Sequence, residues 1–156
     1  MTRTGAVQSF EARRAAGSAA RARLRPSRLG HWIPTAGRPD PVALLHEQAR
    51  SRVQELVPVR YARMSVSPLA FYRGAAAVMA SDLASAAHSG IMVQLCGDAH
   101  LSNFGLFSTP ERHLTFDMND FDETLPGPFE WDVKRLAASF AVAARGRDFT
   151  DEETQK

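Results

Sequence analysis

The first amphipathic pattern of the chain covers residues 40–58. Apolar residues recur there every three to four positions, which is the spacing of one face of a helix. Asp40 is a preferred N-cap residue, and Pro41 suits the first helical position. We therefore predict one amphipathic helix that begins after Asp40 and ends at Pro58.

Two further helices are predicted downstream. Residues 67–90 begin with Ser67, an N-cap residue type, and continue with small apolar residues to Gly90, so we expect a helix with an alanine-rich face on the core. Residues 130–145 also follow helical spacing, with Asp132 near the start, where a carboxylate is favourable. The apolar positions of this helix are Val133, Leu136, Ala137, Phe140 and Ala144. We expect Trp131 and Phe140 in the core.

Three short segments have the residue types of β-strands. Residues 91–96 have the length and the β-branched content of a short buried strand. Residues 103–107 and 113–118 predict two strands joined by a turn that contains Pro110. Helices and strands together predict an α+β fold.

The two ends of the chain have weaker patterns. Residues 1–39 have few large apolar residues and no sustained period, so we expect a mostly disordered, arginine-rich arm followed by a domain over 40–156. A capping box at residues 150–153 predicts the start of another helix, yet the sequence stops at Lys156. We therefore expect the domain to be truncated at its C-terminus.

Charge is unevenly distributed, although the formal net charge is only +2. Residues 1–30 contain seven arginines and one acid, whereas residues 117–132 contain six acids and no base. Aromatic residues do not alternate with the arginines, so a nucleic-acid partner is not expected. Cys96 is the only cysteine, which excludes an intramolecular disulfide and a thiolate zinc cluster and favours the cytoplasm. No apolar run reaches the ~18 residues of a membrane span.

Polar side chains concentrate directly after the predicted strand 91–96. In the string "GDAHLSN", Gly97 permits a sharp turn, Asp98 is presented from the loop and Asn103 can return toward it. A second string, "FDMNDFDE", holds Asp117, Asn119, Asp120, Asp122 and Glu123. Crowded carboxylates raise one another's pKa unless a cation or water compensates, and hard oxygen ligands suit Mg²⁺ or Mn²⁺. The alternative for either string is a solvated acidic turn.

This order of residues matches phosphoryl transfer in kinases. There, one aspartate orients the attacking hydroxyl, an asparagine holds a metal ion, and a second aspartate holds the ions that bridge the nucleotide phosphates. "GDAHLSN" resembles the "HGDxHxxN" loop of aminoglycoside and choline phosphotransferases, with Cys96 in place of the first histidine. "NDFDETLPGPFEWDVKRLA" is similar to the segment of those enzymes that contains "IDFDD" and "YDLA".

The resemblance implies a role for each candidate residue. Asp98 would be the catalytic aspartate, Asn103 a metal ligand and Asp120 the second metal-binding aspartate, with Asp117 as a rival for that role. The candidate set is Asp98 (catalytic), Asn103, Asp120, Asp122 and Asp117 (metal), Arg73 (phosphate), and His100 and Asp132 (structural support). A contact of His100 with phosphate or metal stays open beside a backbone hydrogen bond that holds the turn.

Longer strings resemble a large uncharacterised bacterial family, domain of unknown function 2252. They are "DPVALLHEQ", "LVPVRYARM", "SPLAFYRGAAAVMASDLA", "VQLCGDAHLSNFGLF" and "FDMNDFDETLPGPFEWDVKRLAASF". The family is grouped with the protein-kinase-like fold and its members are much longer, so the resemblance implies an incomplete protein-kinase-like fold. It implies a fragment of a Mg²⁺-dependent, kinase-like phosphotransferase of unknown acceptor. The alternatives are a non-catalytic remnant or binding module, and a metal-dependent phosphoester hydrolase.

The chain departs from the kinase pattern in its phosphate contacts. Kinases use a glycine-rich loop and a strand lysine, whereas the two lysines here, Lys134 and Lys156, both follow Asp98. Either Arg73 contacts phosphate instead, or the nucleotide-binding lobe follows the metal loop in the complete protein, and we favour the second. We expect Mg²⁺ or Mn²⁺ and ATP as cofactors of the complete domain, and a small molecule or protein as acceptor. The chain alone is expected to be inactive and to bind ATP weakly.

Overall fold

The structure, a computed structural model, describes residues 8–147, 149–150 and 152. The helices are α1 (Phe10–Arg23), α2 (Pro41–Ala49), α3 (Val57–Met64), α4 (Pro68–Gly74), α5 (Ala76–Ala84) and α6 (Glu130–Arg145), and the strands are β1 (Met92–Leu95), β2 (Phe104–Ser108), β3 (Leu114–Met118) and β4 (Leu125–Pro128). Short 3₁₀ turns lie at Pro26–Arg28, Gln54–Leu56 and Leu101–Asn103. Helices beside small antiparallel sheets confirm the predicted α+β class. None of the helices in the described ranges is long and apolar enough to cross a membrane.

Helix α1 lies in the segment that was expected to be disordered. The hydroxyl of Ser9 accepts a hydrogen bond from the backbone N–H of Ala12 at 3.2 Å and caps the helix. Near its end, Arg23 donates to the carbonyl oxygen of Ser89 at 2.6 Å. Residues 10–23 are therefore helical and contact the rest of the chain, while the division into an arm and a domain at residue 39 stays a prediction.

The predicted helix 40–58 is divided into two helices. Asp40 caps α2 as expected, with its carboxylate 3.0 Å from a backbone N–H of the first turn, but the helix ends at Ala49. After the helix end, the carbonyl oxygen of Ala49 accepts from the side-chain amide of Gln54 at 2.9 Å and from the backbone N–H of Arg52 at 3.1 Å. Pro58 lies in the first turn of α3 instead of ending a helix, since a missing N–H costs little there.

The predicted helix 67–90 is also interrupted. Ser67 caps α4 through its hydroxyl, which accepts from the N–H of Ala70 at 3.1 Å. The helix is interrupted at Ala75, between α4 and α5. Helix α5 ends at Ala84, six residues before Gly90. A small apolar core consists of Leu45, Met64 and Ala75, with Tyr61 and Val78 packed against it. The α3–α4 approach requires Gly74, because a Cβ there would lie 2.5 Å from Cγ of Met64.

The four strands form two separate antiparallel pairs. Strands β2 and β3 form the predicted hairpin, with Leu106 opposite Phe116. Strand β1 pairs with β4, with Val93 opposite Gly127. Of β1, only Leu95 is buried, so the expectation of a buried strand is wrong for its first three residues. Strand β4 was not predicted because it contains two prolines, which a strand with a single hydrogen-bonded neighbour tolerates.

Helix α6 has the predicted bounds but buries the opposite side. Its buried residues are Glu130, Arg135 and Ser139, whereas the Phe140 side chain is 59% exposed. The expectation that Phe140 is a core residue is wrong, and Trp131 is half-buried. The polar side faces inward because it supplies hydrogen-bond partners to the loop that follows β1. The predicted capping box cannot be compared, since residues 151 and 153 lie outside the described residues.

Candidate functional site

The turn after β1 is shaped by Gly97 and held by Asp132. Gly97 has a φ of +87°, and a Cβ there would lie 2.0 Å from the carbonyl oxygen of Glu123, so only glycine fits. The Asp132 carboxylate accepts hydrogen bonds from the backbone N–H of Cys96 at 2.7 Å and from that of Gly97 at 3.1 Å. Asp132 therefore ties the first turn of α6 to the loop that presents Asp98.

The carboxylate of Asp98 is ion-paired with Arg135. Two guanidinium nitrogens, Nε and Nη2, contact the same oxygen, Oδ1. The Arg135 side chain is 4% exposed and that of Asp98 is 16% exposed, so this pair is largely removed from water. The second carboxylate oxygen, Oδ2, lies on the side of His100. The pair thus fixes one oxygen of Asp98 and leaves the other for a ligand.

Tyr72 holds Arg135 in place from the opposite side. The guanidinium carbon lies 4.5 Å from the centroid of the Tyr72 ring, and Nη2 donates to the Tyr72 carbonyl oxygen at 3.0 Å. The Tyr72 hydroxyl in turn donates to the Arg135 carbonyl oxygen at 2.8 Å. Burial raises the pKa of Tyr72, although the nearby Arg135 cation opposes the increase. The phenol therefore stays protonated and donates this hydrogen bond throughout the neutral range.

The buried side chain of Asn103 joins the two loops of the site. Its amide nitrogen donates to the carbonyl oxygens of Asp98 at 3.2 Å and of Asp120 at 3.1 Å, and its Oδ1 accepts from the N–H of Asp120 at 2.8 Å. Residues that are 22 positions apart in the sequence, Asp98 and Asp120, are thereby held in fixed relation. The metal-binding role of Asn103 stays a prediction.

The acidic residues after β3 occupy different positions. Asp120 is exposed and lines the same cavity as Asp98, and its Oδ1 accepts from the backbone N–H of Asp122 at 3.1 Å in an Asx-type turn. Asp117 lies in β3 opposite Gly105 and accepts from the N–H that follows it. Burial raises the pKa of Glu123, and Asp98 and Asp120 raise it further. Of the rivals Asp117 and Asp120, only Asp120 lines this cavity within the described part of the chain.

His100 is buried beside Asp98. Its Nδ1 accepts from the backbone N–H of Ser102 at 3.2 Å, and its Nε2 lies 3.8 Å from Oδ2 of Asp98. Burial lowers the pKa of His100; the Asp98 carboxylate opposes this, and the Arg73 and Arg135 cations add to it. The imidazole is therefore neutral at pH 7, so the short distance to Asp98 is not an ion pair there. Its contact with Ser102 is the backbone bond that the sequence suggested.

Arg73 lines the same cavity as Asp98 and Asp120. A cavity of about 910 Å³ is lined by Arg73, Asp98, His100 and Asp120, and on its far side by the segment that includes α3. This volume lies within the range of small-molecule sites. The candidate catalytic residue Asp98, the candidate phosphate-binding residue Arg73 and one candidate metal ligand, Asp120, therefore line one cavity, although the role of each stays a prediction.

The donor atoms of the site suit a metal ion that is shared with a ligand. In the described ranges, no group of three or more His, Cys, Asp or Glu side chains could hold an ion by itself. Mg²⁺ commonly keeps several waters and binds one or two carboxylates together with substrate phosphates. A single exposed carboxylate, that of Asp120, fits that mode, whereas Oδ1 of the buried Asn103 accepts from the N–H of Asp120 and Asn103 does not line the cavity. The residues present are thus compatible with Mg²⁺ bound jointly with a phosphate ligand.

Sequence reasoning missed Arg135, Tyr72 and Ser139. Ser139 is fully buried, and its hydroxyl accepts from the N–H of Leu101 at 2.9 Å. A signal was available, because Asp132, Arg135 and Ser139 recur every three to four positions and so share one side of α6. A polar stripe with a charge at its centre was the indication that the polar side of this helix has buried partners.

Comparison with known proteins identifies one family. The family model described as an uncharacterized protein conserved in bacteria (DUF2252) matches residues 52–156. No curated protein and no solved structure matches the chain.

Proposed function

The chain belongs to the bacterial family DUF2252, and we propose that its site performs Mg²⁺-dependent, kinase-like phosphoryl transfer to a hydroxyl-bearing acceptor. The observation that carries this proposal is the meeting of Asp98 and Asp120 in one cavity, with their loops joined by the Asn103 side chain. Phosphoryl transfer depends chiefly on positioning and charge stabilisation, and two fixed carboxylates at one cavity supply the positions.

Asp98 is the residue that positions the acceptor. Its Oδ1 is held by Arg135, so Oδ2 can accept the hydrogen of the acceptor hydroxyl and orient the oxygen for in-line attack. Because His100 is neutral and uses Nδ1 to accept from Ser102, it shapes the loop without competing for the Asp98 carboxylate as a cation.

Asp120 is the residue that would hold Mg²⁺, and the buried Asn103 positions the Asp120 loop through its hydrogen bonds to the Asp120 backbone. When bound there, Mg²⁺ would supply positive charge that offsets the phosphate charge and the charge that develops during transfer. The Asx-type turn at Asp120 uses Oδ1, which leaves Oδ2 to the cavity. Asp122 and Asp117 are secondary candidates, because neither lines the cavity in the described ranges.

Because the chain alone is expected to be inactive, the test uses the complete domain: it measures transfer of the terminal phosphoryl group of labelled ATP to a panel of hydroxyl-bearing small molecules and to the protein itself. Asp98→Asn keeps the size of the side chain but removes the charge, and we expect transfer to fall by about 10²- to 10⁴-fold. Asp120→Asn should also remove the Mg²⁺ dependence of ATP binding. Asp117→Asn tests the rival metal candidate and should retain both if Asp120 holds the ion. Glu111→Gln, at an exposed position between β2 and β3 and outside the cavity, is the control and should retain both.

The outcomes separate the candidate functions. Equal transfer by Asp98→Asn and the parent chain contradicts the assignment of Asp98. Release of phosphate from esters without any nucleotide would indicate a metal-dependent hydrolase. Absence of both reactions in a folded chain that binds ligand would indicate a non-catalytic binding module.

A further inference from the structure

The wall of the cavity that faces Asp98 is rich in arginine. Arg60 and Arg63 lie on successive turns of α3, Arg52 precedes that helix, and Arg73 lies in the last turn of α4. All four line the cavity of about 910 Å³ that Asp98, His100 and Asp120 also line. Guanidinium groups from three separate segments of the chain therefore converge on one space.

These four arginines are not neutralised by the protein. Within residues 8–147, 149–150 and 152, none of them forms an ion pair within 4 Å, whereas Arg135 and Arg38 are paired with Asp98 and Asp82. The Asp98 carboxylate is paired with Arg135, so it offsets the positive charge of the wall only in part. The wall thus carries a local excess of positive charge.

One of the four, Arg60, is held by a backbone hydrogen bond, and its surroundings destabilise its positive charge. Arg60 donates from Nη2 to the carbonyl oxygen of Gly74 at 2.6 Å, which orients its planar fork. Burial lowers the pKa of Arg60 and the neighbouring Arg52 cation lowers it further, while Glu123 and Asp98 raise it only in part. A bound anion would relieve both effects.

The same wall has an apolar part. Val53, Leu56 and Val59 line the cavity and keep 47–63% of their surface exposed. A ligand that satisfied the whole wall would therefore carry an anionic group and an apolar or aromatic body. Arginine forks match the oxygen geometry of phosphate.

We propose that Arg52, Arg60, Arg63 and Arg73 form a phosphate-binding wall that takes a phosphorylated ligand with an apolar or aromatic body. The inference rests on the proposed function only where it concerns the direction of phosphoryl transfer. The claim that the wall binds phosphate rests on the cavity alone. The ligand is either a nucleoside polyphosphate or a phosphorylated acceptor. In the first case the arginines replace the glycine-rich loop and the strand lysine of kinases, neither of which occurs before Asp98 in the described residues.

Calorimetric titration of the whole chain with Mg·ATP, inorganic pyrophosphate and phenyl phosphate tests the wall. The double variant Arg52→Gln/Arg63→Gln changes two exposed side chains and leaves the Arg60–Gly74 hydrogen bond intact. We expect it to weaken binding by about tenfold per arginine and to reduce the salt dependence of the affinity. Arg50→Gln is the matched control, because Arg50 lies two residues from Arg52, is paired with Glu47 and does not line the cavity.

Each result decides the inference. Tighter binding of Mg·ATP than of pyrophosphate, lost in the double variant, assigns the wall to a nucleotide; phenyl phosphate bound as tightly as Mg·ATP assigns it to a phosphorylated acceptor. No binding at millimolar ligand, or equal affinities of the double variant and Arg50→Gln, overturns the proposal. Arginine-dependent binding without phosphoryl transfer keeps the wall and refutes the proposed function.

Discussion

Replacing Arg135 by methionine removes a buried cation but keeps an unbranched side chain of similar length. The guanidinium contacts Asp98 through two nitrogens, donates to the Tyr72 carbonyl oxygen and lies over the Tyr72 ring. The methionine cannot replace any of these polar contacts. The variant therefore leaves the Asp98 carboxylate without its partner in a largely buried position.

The cost can be worked out from these contacts. Breaking a buried ion pair by removing one partner costs about 3–5 kcal/mol, and the 16% exposure of the Asp98 side chain favours the lower end. The hydrogen bond to Tyr72 and the cation–π contact together add about 1 kcal/mol. We therefore expect Arg135→Met to lower the free energy of unfolding by about 3–4 kcal/mol.

Urea-induced unfolding followed by circular dichroism measures this change, and a double-mutant cycle with Asp98→Asn isolates the pair. In the Asp98→Asn background, Arg135→Met should cost about 2 kcal/mol less, because no unpaired carboxylate remains. Lys134→Met is the control at the adjacent position. Lys134 has no ion pair among the described residues, so this change should stay within about 0.5 kcal/mol.

Two results would refute the reasoning. A loss below about 1 kcal/mol in Arg135→Met would show that Asp98 is solvated well enough to need no partner. A coupling energy below about 0.5 kcal/mol would show that the contacts of Arg135 with Tyr72, and not with Asp98, account for its burial.

Two further predictions concern the loop after β1. Gly97→Ala should destabilise the chain by about 3 kcal/mol or more in the same unfolding assay, because it combines a left-handed φ with a Cβ 2.0 Å from the Glu123 carbonyl oxygen. Gly30→Ala is the control and should be nearly neutral, because a Cβ there meets no atom within 4 Å. The pKa of His100 is lowered from its ordinary value of 6.5, chiefly by burial. As the pH falls below 6.5, the unfolded state therefore binds more protons than the folded state, and the free energy of unfolding decreases. Unfolding free energies measured from pH 7 to pH 5 should therefore decline more steeply for the parent chain than for His100→Asn, and parallel slopes would argue against this role.

Local sequence signals predicted the starts of helices better than their ends. Asp40 and Ser67 cap helices where their residue types predicted caps, because a cap depends on atoms within one turn of the chain. The break after Ala49 depends on Gln54, whose amide bonds the carbonyl oxygens left by the helix end. A contact of this kind, between a helix end and the loop that follows, leaves no periodic pattern in the sequence.

The sequence predicted the residues of the candidate site but not the residues that hold them in place. Asp98, Asn103 and Asp120 were recognised because polar residues directly after predicted strands are unusual and resemble a known motif. Asp98 is held by Arg135 on α6, more than thirty positions away, and Arg135 is held in turn by Tyr72 on α4. Spacing within one segment carries no information about such pairs.

The sequence by itself determined the α+β class, the β2–β3 hairpin, the bounds of α6 and the family to which the chain belongs, since each depends on short-range periodicity or on long continuous motifs. Only the tertiary structure decided which side of α6 is buried, that β1 pairs with the proline-containing β4, and that four arginines face Asp98 across one cavity. The physical reason is that burial depends on which surface needs partners. The loop after β1 exposes backbone N–H groups and a carboxylate, and the polar side of α6 satisfies them at the expense of Phe140, which faces solvent.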